Sequence, residues 1–502
     1  MTARTTDTKL FHKLVNAERK NYKDIAELHV NDNLFNGHDE ILTGFKGHFQ
    51  KLATQSLNAD YDSVYHELCR NEIQHIEQIV NKKNTTIVTR PIYKINKGEA
   101  PDIFGITIEH IIHADKTITE YLIYIYNSIF QMGVVPDLIK TGLLTPVYKN
   151  KGSRNKSTSY RCITVLPVLN KIIEAIIKIR IQPNILQTQN PSQRGFTAKT
   201  SPLNAAFIIE ELKRNSKDDK ELLSVTLLDA KFAFDVVNTD HLLRRLYQIG
   251  IDDKIWNLVY NFHENATSAV KWIGQTSTFF KVSQGVRQGG ILSADLYNIY
   301  VNPLLDRLNK TGLGAKVGDI ICNTSACADD VTINTYSDHD VQILLDIAAD
   351  FANQERYELQ PSKTNSVRIK PSHRLSISGE MQTLLLNDSE IPEVEQATHI
   401  GLKIANTISN AAKANIENNI NKARRAPYSL MSTGLHGNNG LDPETSLQLI
   451  KTCITPILLY GLELILPNKT LITKLERFQK KLLKQVLSLP QNKPDCAVYL
   501  LT

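Results

Sequence analysis

Two stretches of this sequence set carboxylates where a folded core would repel them. In Ser325 to Ile333, SACADDVTI, the adjacent Asp329 and Asp330 stand between a small-residue run and the β-favouring Val331, Thr332 and Ile333. One hundred positions earlier, ELLSVTLLD ends an apolar, strand-like run in Asp229. If the two strands are neighbours, three carboxylates converge, and each pair at ~4 Å repels by about 4 kcal/mol at an effective dielectric of 20. A divalent cation reverses that sign. Oxygen ligands without histidine or cysteine nearby favour a hard ion, Mg²⁺ or Mn²⁺, which keeps waters and takes substrate phosphates as further ligands. Two such ions about 3.5–4 Å apart can activate an attacking hydroxyl and steady a leaving pyrophosphate, the chemistry of nucleotidyl transfer. An Asp-Asp pair by itself is also an ordinary solvated turn, so the remaining segments must decide.

The elements around these residues alternate in a readable way. TGLLTPVYKNKGSRNKSTSYRCITVLPVLNKIIEAIIKIRI predicts a strand, a basic loop, a second strand and an amphipathic helix, that is, a hairpin with a positive tip. Leu222 to Leu228 predicts a strand, followed by a helix capped near Thr239 or Asp240 and stopped by Gly250. FFKVSQGVRQGGILSADLYNIYVNPLLDRL places a Gly-rich turn before a long helix. After the aspartate pair come a Leu/Ala-rich helix from Val341 to Gln354 and short strands in LQPSKTNSVRI and ATHIGLKIA. Residues 1 to about 90 read as polar and helical, and the last hundred as mainly helical with basic faces such as KLERFQKKLLKQVL.

Composition narrows the class. At 502 residues and 42% hydrophobic the chain can bury several cores, and 58 Lys+Arg against 52 Asp+Glu leave a charge of +6 that suits a polyanionic partner without requiring one. The six cysteines form no C-x-x-C pair, so neither a disulfide framework nor a zinc knuckle is indicated. The polar start MTARTTDTKLFHKLVNAERK lacks the apolar core of a signal peptide. CITPILLYGLELIL reads as too short to span a bilayer and carries Glu463, so a soluble intracellular protein with no membrane partner is expected. His110 and His113 in EHIIH share a helical face, but no further ligand has metal-like spacing and an ordinary structural role is expected for both.

The ordered motifs resemble the reverse transcriptase domain of LINE-type (non-LTR) retrotransposons. LLDAKFAFDVVNTDHLL is similar to the first palm motif, SQGVRQGGILSADLYNIYVNPLL to the Gly-rich second motif, and ACADDVTI to the metal-binding turn. LQPSKTNSV resembles the lysine-bearing segment that follows and HIGLKI the primer-grip hairpin. TPVYKNKGSRNKSTSYRCITVLPVLNKIIE and PSQRGFTAKTSPLNA resemble the fingers, and ITPILLYGLELILPNK and LERFQKKLLKQVLSLP the connection and thumb. The resemblance runs from about residue 90 to the C-terminus.

It implies an α+β right-hand polymerase: an N-terminal helical extension (1–90), fingers (91–220), a palm with an antiparallel sheet (221–405), and a connection and helical thumb (406–502). The implied activity is that of an RNA-directed DNA polymerase, extending a DNA primer 3′-hydroxyl on an RNA template with dNTPs, as in target-primed retrotransposition. Asp229, Asp329 and Asp330 would hold two Mg²⁺ or Mn²⁺ ions. Lys149 and Arg161 would meet the triphosphate, Phe234, five residues past Asp229, would exclude a 2′-hydroxyl, and Gln288 and Gly289 would pack near the nascent base pair. Lys363 would protonate the departing pyrophosphate. The resemblance further implies an endonuclease elsewhere in a longer polyprotein, a cytoplasmic ribonucleoprotein and a nuclear integration step. The chain departs from the family at Cys327, where an aromatic is usual, at Cys162, where proline is common, and at Asp295, where Leu-Ser-Pro is replaced by Leu292-Ser293-Ala294-Asp295. A second reading is a nucleic-acid-binding remnant that has lost turnover.

Overall fold

The computed structural model describes residues 25–55, 61–83, 95–371, 382–430, 434–435 and 440–500. Its centre is a four-stranded antiparallel sheet in the order Thr324–Cys327, Asp330–Thr335, Leu223–Leu228, Asn365–Ile369. Both faces of this sheet are covered, which is why LLSVTLL reads as a nearly unbroken buried run rather than an alternating one. On one face Leu228, Ala326, Val331 and Ile333 pack with Val341, Leu344 and Leu345 of the helix Asp338–Glu355. On the other, Leu223, Val225, Val367 and Ile369 meet Ile209 and Leu212 of the helix Pro202–Asp219. The polar residues in the run are satisfied across strands, as where the Thr226 hydroxyl donates to Ser366 Oγ at 3.0 Å.

A second sheet is built on the predicted hairpin. Gly142–Tyr148 pairs antiparallel with Tyr160–Val165 and parallel with Thr267–Trp272, which in turn pairs with Phe280–Lys281. The helix Val168–Thr188 follows and is among the most deeply buried in the chain, with Ile172, Ile173 and Ile177 inaccessible. The strand Thr267–Trp272 lies within the range expected for the palm, yet its hydrogen bonds belong to the sheet of the fingers hairpin.

The N-terminal region departs from its helical expectation. Helices do occur at His38–Leu52 and Ser63–Val80, but Glu27–Val30 and Asn33–Asn36 form an antiparallel hairpin around Asn31, whose φ of 52° suits a tight turn. That hairpin is joined to the basic loop by a bond from the His29 N–H to the Asn155 carbonyl. Leu28, Phe45 and Phe49 share a core with Tyr160, Cys162 and Val270. Residues 27–52 are therefore part of the fingers' packing, since four-residue strands gain little until a larger surface covers them. The expectations for residues 1–24 and 84–94 lie outside the described residues.

The C-terminal core gathers Ile416 and Ile420 of the helix Ile408–Leu430 with Leu475, Leu482 and Leu483 of the helix Lys469–Val486. Between them, Pro443–Ile465 is longer than the apolar stretch read from sequence and is long and apolar enough to cross a membrane by length and composition. In the fold it is interrupted by a π turn at Ile450–Ile454 and broken at Tyr460 and Gly461, and Leu449, Ile450, Ile454 and Leu458 join the same core.

Candidate active site

The register of the central sheet brings the three carboxylates to one edge. Val331 is opposite Leu228, so Asp330 and Asp229 are the next residues along adjacent antiparallel strands, while Asp329 occupies the turn above them. The turn is made by Ala328 and Asp329 between the paired Cys327 and Asp330, and Ala328 has φ 60°, a backbone state usually left to glycine. Asp329 and Asp330 open toward the cleft, yet surrounding protein withholds water from their carboxyls. Burial is the first cause of the rise in the Asp329 pKa, with Asp229 adding to it and Arg161 opposing it. Asp330 is pushed up to about 6, by burial first and then by Asp329 and Asp229. Asp229 thus acts on both Asp329 and Asp330, and Asp329 on Asp330, a repulsion that a cation relieves. Among the described residues no group of three or more His, Cys, Asp or Glu side chains is placed to hold a metal ion by protein ligands alone. A carboxylate edge open to one side fits hard ions whose remaining ligands are waters and substrate phosphates.

Cationic groups surround this edge. Arg161 lies opposite Val147 in the hairpin and exposes its side chain, and its charge acts on both Asp329 and Lys149. Lys149 donates to the Thr158 carbonyl at 2.9 Å and sits 5.7 Å over the Phe232 ring. Its pKa is lowered, by burial first and then by Arg161 and Lys363, with Asp235 and Asp229 opposing. Lys363 donates to Gln360 Oε1 at 2.6 Å, and the Gln360 N–H donates to the Asp229 carbonyl at 2.9 Å, so the lysine loop is tied to the Asp229 strand.

Phe234 stacks face to face on the buried Tyr297, with centroids 4.2 Å apart and planes 17° from parallel, and meets the edge of Phe196 at 6.3 Å. Gln288 donates through Nε2 to both carboxylate oxygens of Asp235, at 3.2 and 3.1 Å. The next residue, Gly289, has φ 127°, and a Cβ there would fall 2.3 Å from the Thr164 carbonyl oxygen; the Thr164 N–H also donates to the Gln288 carbonyl at 2.7 Å. The Gly-rich turn is therefore pressed onto the fingers strand, a contact only a glycine permits.

The sequence reading missed several residues that build this site. Asp235 lies beneath the fingers, its carboxyl pushed up to about 6 by burial, with Gln288 and Lys149 opposing the rise. Glu174 accepts from the N–H groups of Ile291 (2.5 Å) and Leu292 (3.4 Å), anchoring the start of the helix Ser293–Lys310. Asp295, one of the departures from the family pattern, is buried and ion-paired with Lys178 at 2.7 Å. His110 serves its helix start, its Nδ1 accepting from the Thr107 N–H at 2.9 Å in a capping box. Cys327 is half-buried opposite Asp330, and burial, then Asp330 and Asp329, raise its thiol.

A family model described as "Reverse transcriptase (RNA-dependent DNA polymerase)" matches residues 149–421. The chain belongs to this family. The matched region begins at Lys149 and contains every residue singled out above for the cleft. Among curated proteins, the chain is 24% identical over 442 residues to the "Retrovirus-related Pol polyprotein from type-2 retrotransposable element R2DM" of Drosophila melanogaster, covering 86% of this chain and 40% of that protein. It is 23% identical over 385 residues to the "RNA-directed DNA polymerase from mobile element jockey" of the same organism, covering 74% of this chain and 40% of that one. The chain thus spans well under half the length of these relatives. Relatives of this kind accord with the LINE-type resemblance of its motifs. An apo telomerase structure from Candida tropicalis overlaps 74% of this chain and 66% of its own, at 15% identity and a TM-score of 0.40.

Proposed function

We propose that this chain is the polymerase part of a LINE-type retrotransposon protein, an RNA-directed DNA polymerase that extends a DNA primer on an RNA template by target-primed synthesis. The observation that carries the reading is the convergence of Asp229, Asp329 and Asp330 at one edge of an antiparallel sheet within the family match. The three carboxylates would hold two Mg²⁺ or Mn²⁺ ions, which when bound offset their repulsion and supply the activation of the primer hydroxyl and the stabilisation of pyrophosphate. Arg161 and Lys149 bind and orient the triphosphate through charge-assisted hydrogen bonds. Lys363 delivers a proton to the departing pyrophosphate. Phe234 closes the space under the sugar, and Gln288 and Gly289 bring backbone and amide against the nascent pair. An endonuclease elsewhere in the polyprotein, assembly with the element's RNA and a nuclear integration step complete the proposal.

Primer extension on poly(rA)/oligo(dT) with Mg²⁺ tests it. Wild-type chain is expected to incorporate dTMP and Asp329→Ala to abolish incorporation; normal incorporation by that variant overturns the catalytic assignment. Wild-type chain that binds primer–template with steep salt dependence yet incorporates nothing would identify a remnant instead.

A further inference from the structure

The loop that follows the helix Val168–Thr188 runs behind the catalytic turn. It is fixed at its start, where the Asn190 N–H donates to Asn302 Oδ1 at 2.6 Å and the Asn190 amide to Asp306 Oδ1 at 2.7 Å. It then lies alongside the strand Thr324–Cys327: the Ala326 N–H donates to the Ser192 carbonyl at 3.0 Å, and the Arg194 N–H to the Ala326 carbonyl at 2.8 Å. Between those two bonds the Gln193 side chain, with the residue only 2% exposed, turns toward Ala328.

Its amide engages both polar groups of one peptide residue. Gln193 Oε1 accepts from the Ala328 N–H at 2.8 Å, and Gln193 Nε2 donates to the Ala328 carbonyl at 3.2 Å. The same Oε1 accepts from the Gly195 N–H at 2.8 Å, which closes the loop on itself. Gly195 then presses on the turn so closely that a Cβ would stand 2.2 Å from the Ala328 nitrogen, while Asn298 Nδ2 holds the Gly195 carbonyl at 2.8 Å. Ala328 is the residue that the turn forces to φ 60°, and it directly precedes Asp329. A non-glycine residue in that state persists when its surroundings over-determine it. We infer that Gln193 is a positioning residue for catalysis: its amide locks the Ala328 peptide and thereby sets where the Asp329 carboxylate meets its metal.

The inference rests on the assignment of Asp329 as a metal ligand. A Gln193 that merely satisfied the core would affect folding; one that positions Asp329 must affect turnover and metal use. Gln193→Glu separates the two. It keeps size and the acceptor oxygen, loses the donor to the Ala328 carbonyl when ionised, and regains a donor when protonated. Full-length chain is assayed for kcat, dNTP KM, Mg²⁺ half-saturation and primer–template Kd from pH 8 to pH 6, beside wild type, Gln193→Ala and Asp329→Ala. At pH 8 both Gln193 variants are expected to lose about 10²-fold in kcat, the scale on which a misplacement of ~1 Å acts. Mg²⁺ half-saturation is expected to rise and Kd to stay within twofold. The kcat of Gln193→Glu relative to wild type is expected to recover toward pH 6 while that of Gln193→Ala does not. A Gln193→Glu variant with wild-type kcat and Mg²⁺ half-saturation throughout, or one whose losses follow primer–template Kd alone, overturns the inference. If Asp329→Ala itself turns over normally, it is the functional reading that fails, so the two failures are distinct.

Discussion

At the scale of the residue, the selector role proposed for Phe234 depends on how its ring is held. Its ring is backed by Tyr297 at 4.2 Å and flanked by Phe196, a side chain 61% exposed at the cleft, so it cannot tilt away from a sugar placed above it. Phe234→Val shortens that wall while leaving Tyr297 in place. The expected outcome is a rise of about 10-fold or more in the efficiency of rNTP relative to dNTP incorporation, since the added hydroxyl is then rejected only weakly. Competitive single-nucleotide incorporation measures it, and an unchanged ratio removes Phe234 from the selector role. The role expected for this residue rests on its register after Asp229, as the family resemblance implies. Asp235, its neighbour, could not be picked out in the sequence, because the Gln288 amide that holds its carboxylate lies far along the chain and approaches it only after folding.

At the scale of the element, the strands and helices that carry the aspartates could be read because each announces itself locally. The strand predicted at Leu222 to Leu228 is found at Leu223–Leu228, and the helix after it runs Thr239–Gln248, capped by Asn238, whose side chain accepts from the N–H groups of Asp240 and His241. The hairpin at Glu27–Val30 and Asn33–Asn36 could not be read, since its support comes from Tyr160 and Val270, more than a hundred residues away. The hairpin of Gln396–His399 and Leu402–Ala405 was legible, but its coupling to the thumb was not. Asn415, on the thumb helix Ile408–Leu430, accepts from the Lys403 N–H and donates to the Lys403 carbonyl, both at 2.8 Å. Asn419 on the same helix donates to the carbonyls of Leu458 and Tyr460, and the Tyr460 hydroxyl donates to the Ile400 carbonyl at 2.9 Å. Hairpin and thumb helix are therefore tied into one unit, which under the proposed function would clamp the primer. Asn415→Ala leaves two backbone groups unpaired, a cost of about 1–3 kcal/mol. It is expected to shorten products made in the presence of a trap while leaving single-nucleotide kcat within twofold; product lengths equal to wild type would mean the clamp does not depend on Asn415.

At the scale of the whole molecule, the N-terminal helix Ser63–Val80 is joined to the back of the palm by charge that no local spacing reveals. Arg244 reaches Glu72, and His66 Nδ1 meets His241 Nε2 at 3.1 Å. His241 Nδ1 in turn lies 3.0 Å from Glu355 Oε2, Arg245 pairs with the other oxygen of Glu355, and the Tyr300 hydroxyl donates to the Glu355 carbonyl at 2.6 Å. The side chains of His241 and Glu355 are fully inaccessible, so the network behaves as a buried ion cluster rather than a surface one. Burial pushes the Glu355 carboxyl up, but Arg245 and the His241 hydrogen bond overcome it and hold its pKa below the ordinary glutamate value. A depressed carboxylate binds its proton less readily in the folded state than in the unfolded one. Its contribution is present in full above about pH 4.3, the unfolded value, and is lost as pH falls through the folded value. Glu355→Ala strands Arg245 without its partner and is expected to cost about 3–5 kcal/mol at pH 7. Glu355→Gln, which keeps the shape, is expected to cost less at pH 7 and to narrow its gap to wild type as the pH is lowered below 4. Urea unfolding of the three chains between pH 7 and pH 3 measures both effects. A gap between wild type and Glu355→Gln that stays constant across that range would mean that the Glu355 charge does not hold the N-terminal helix and the palm together.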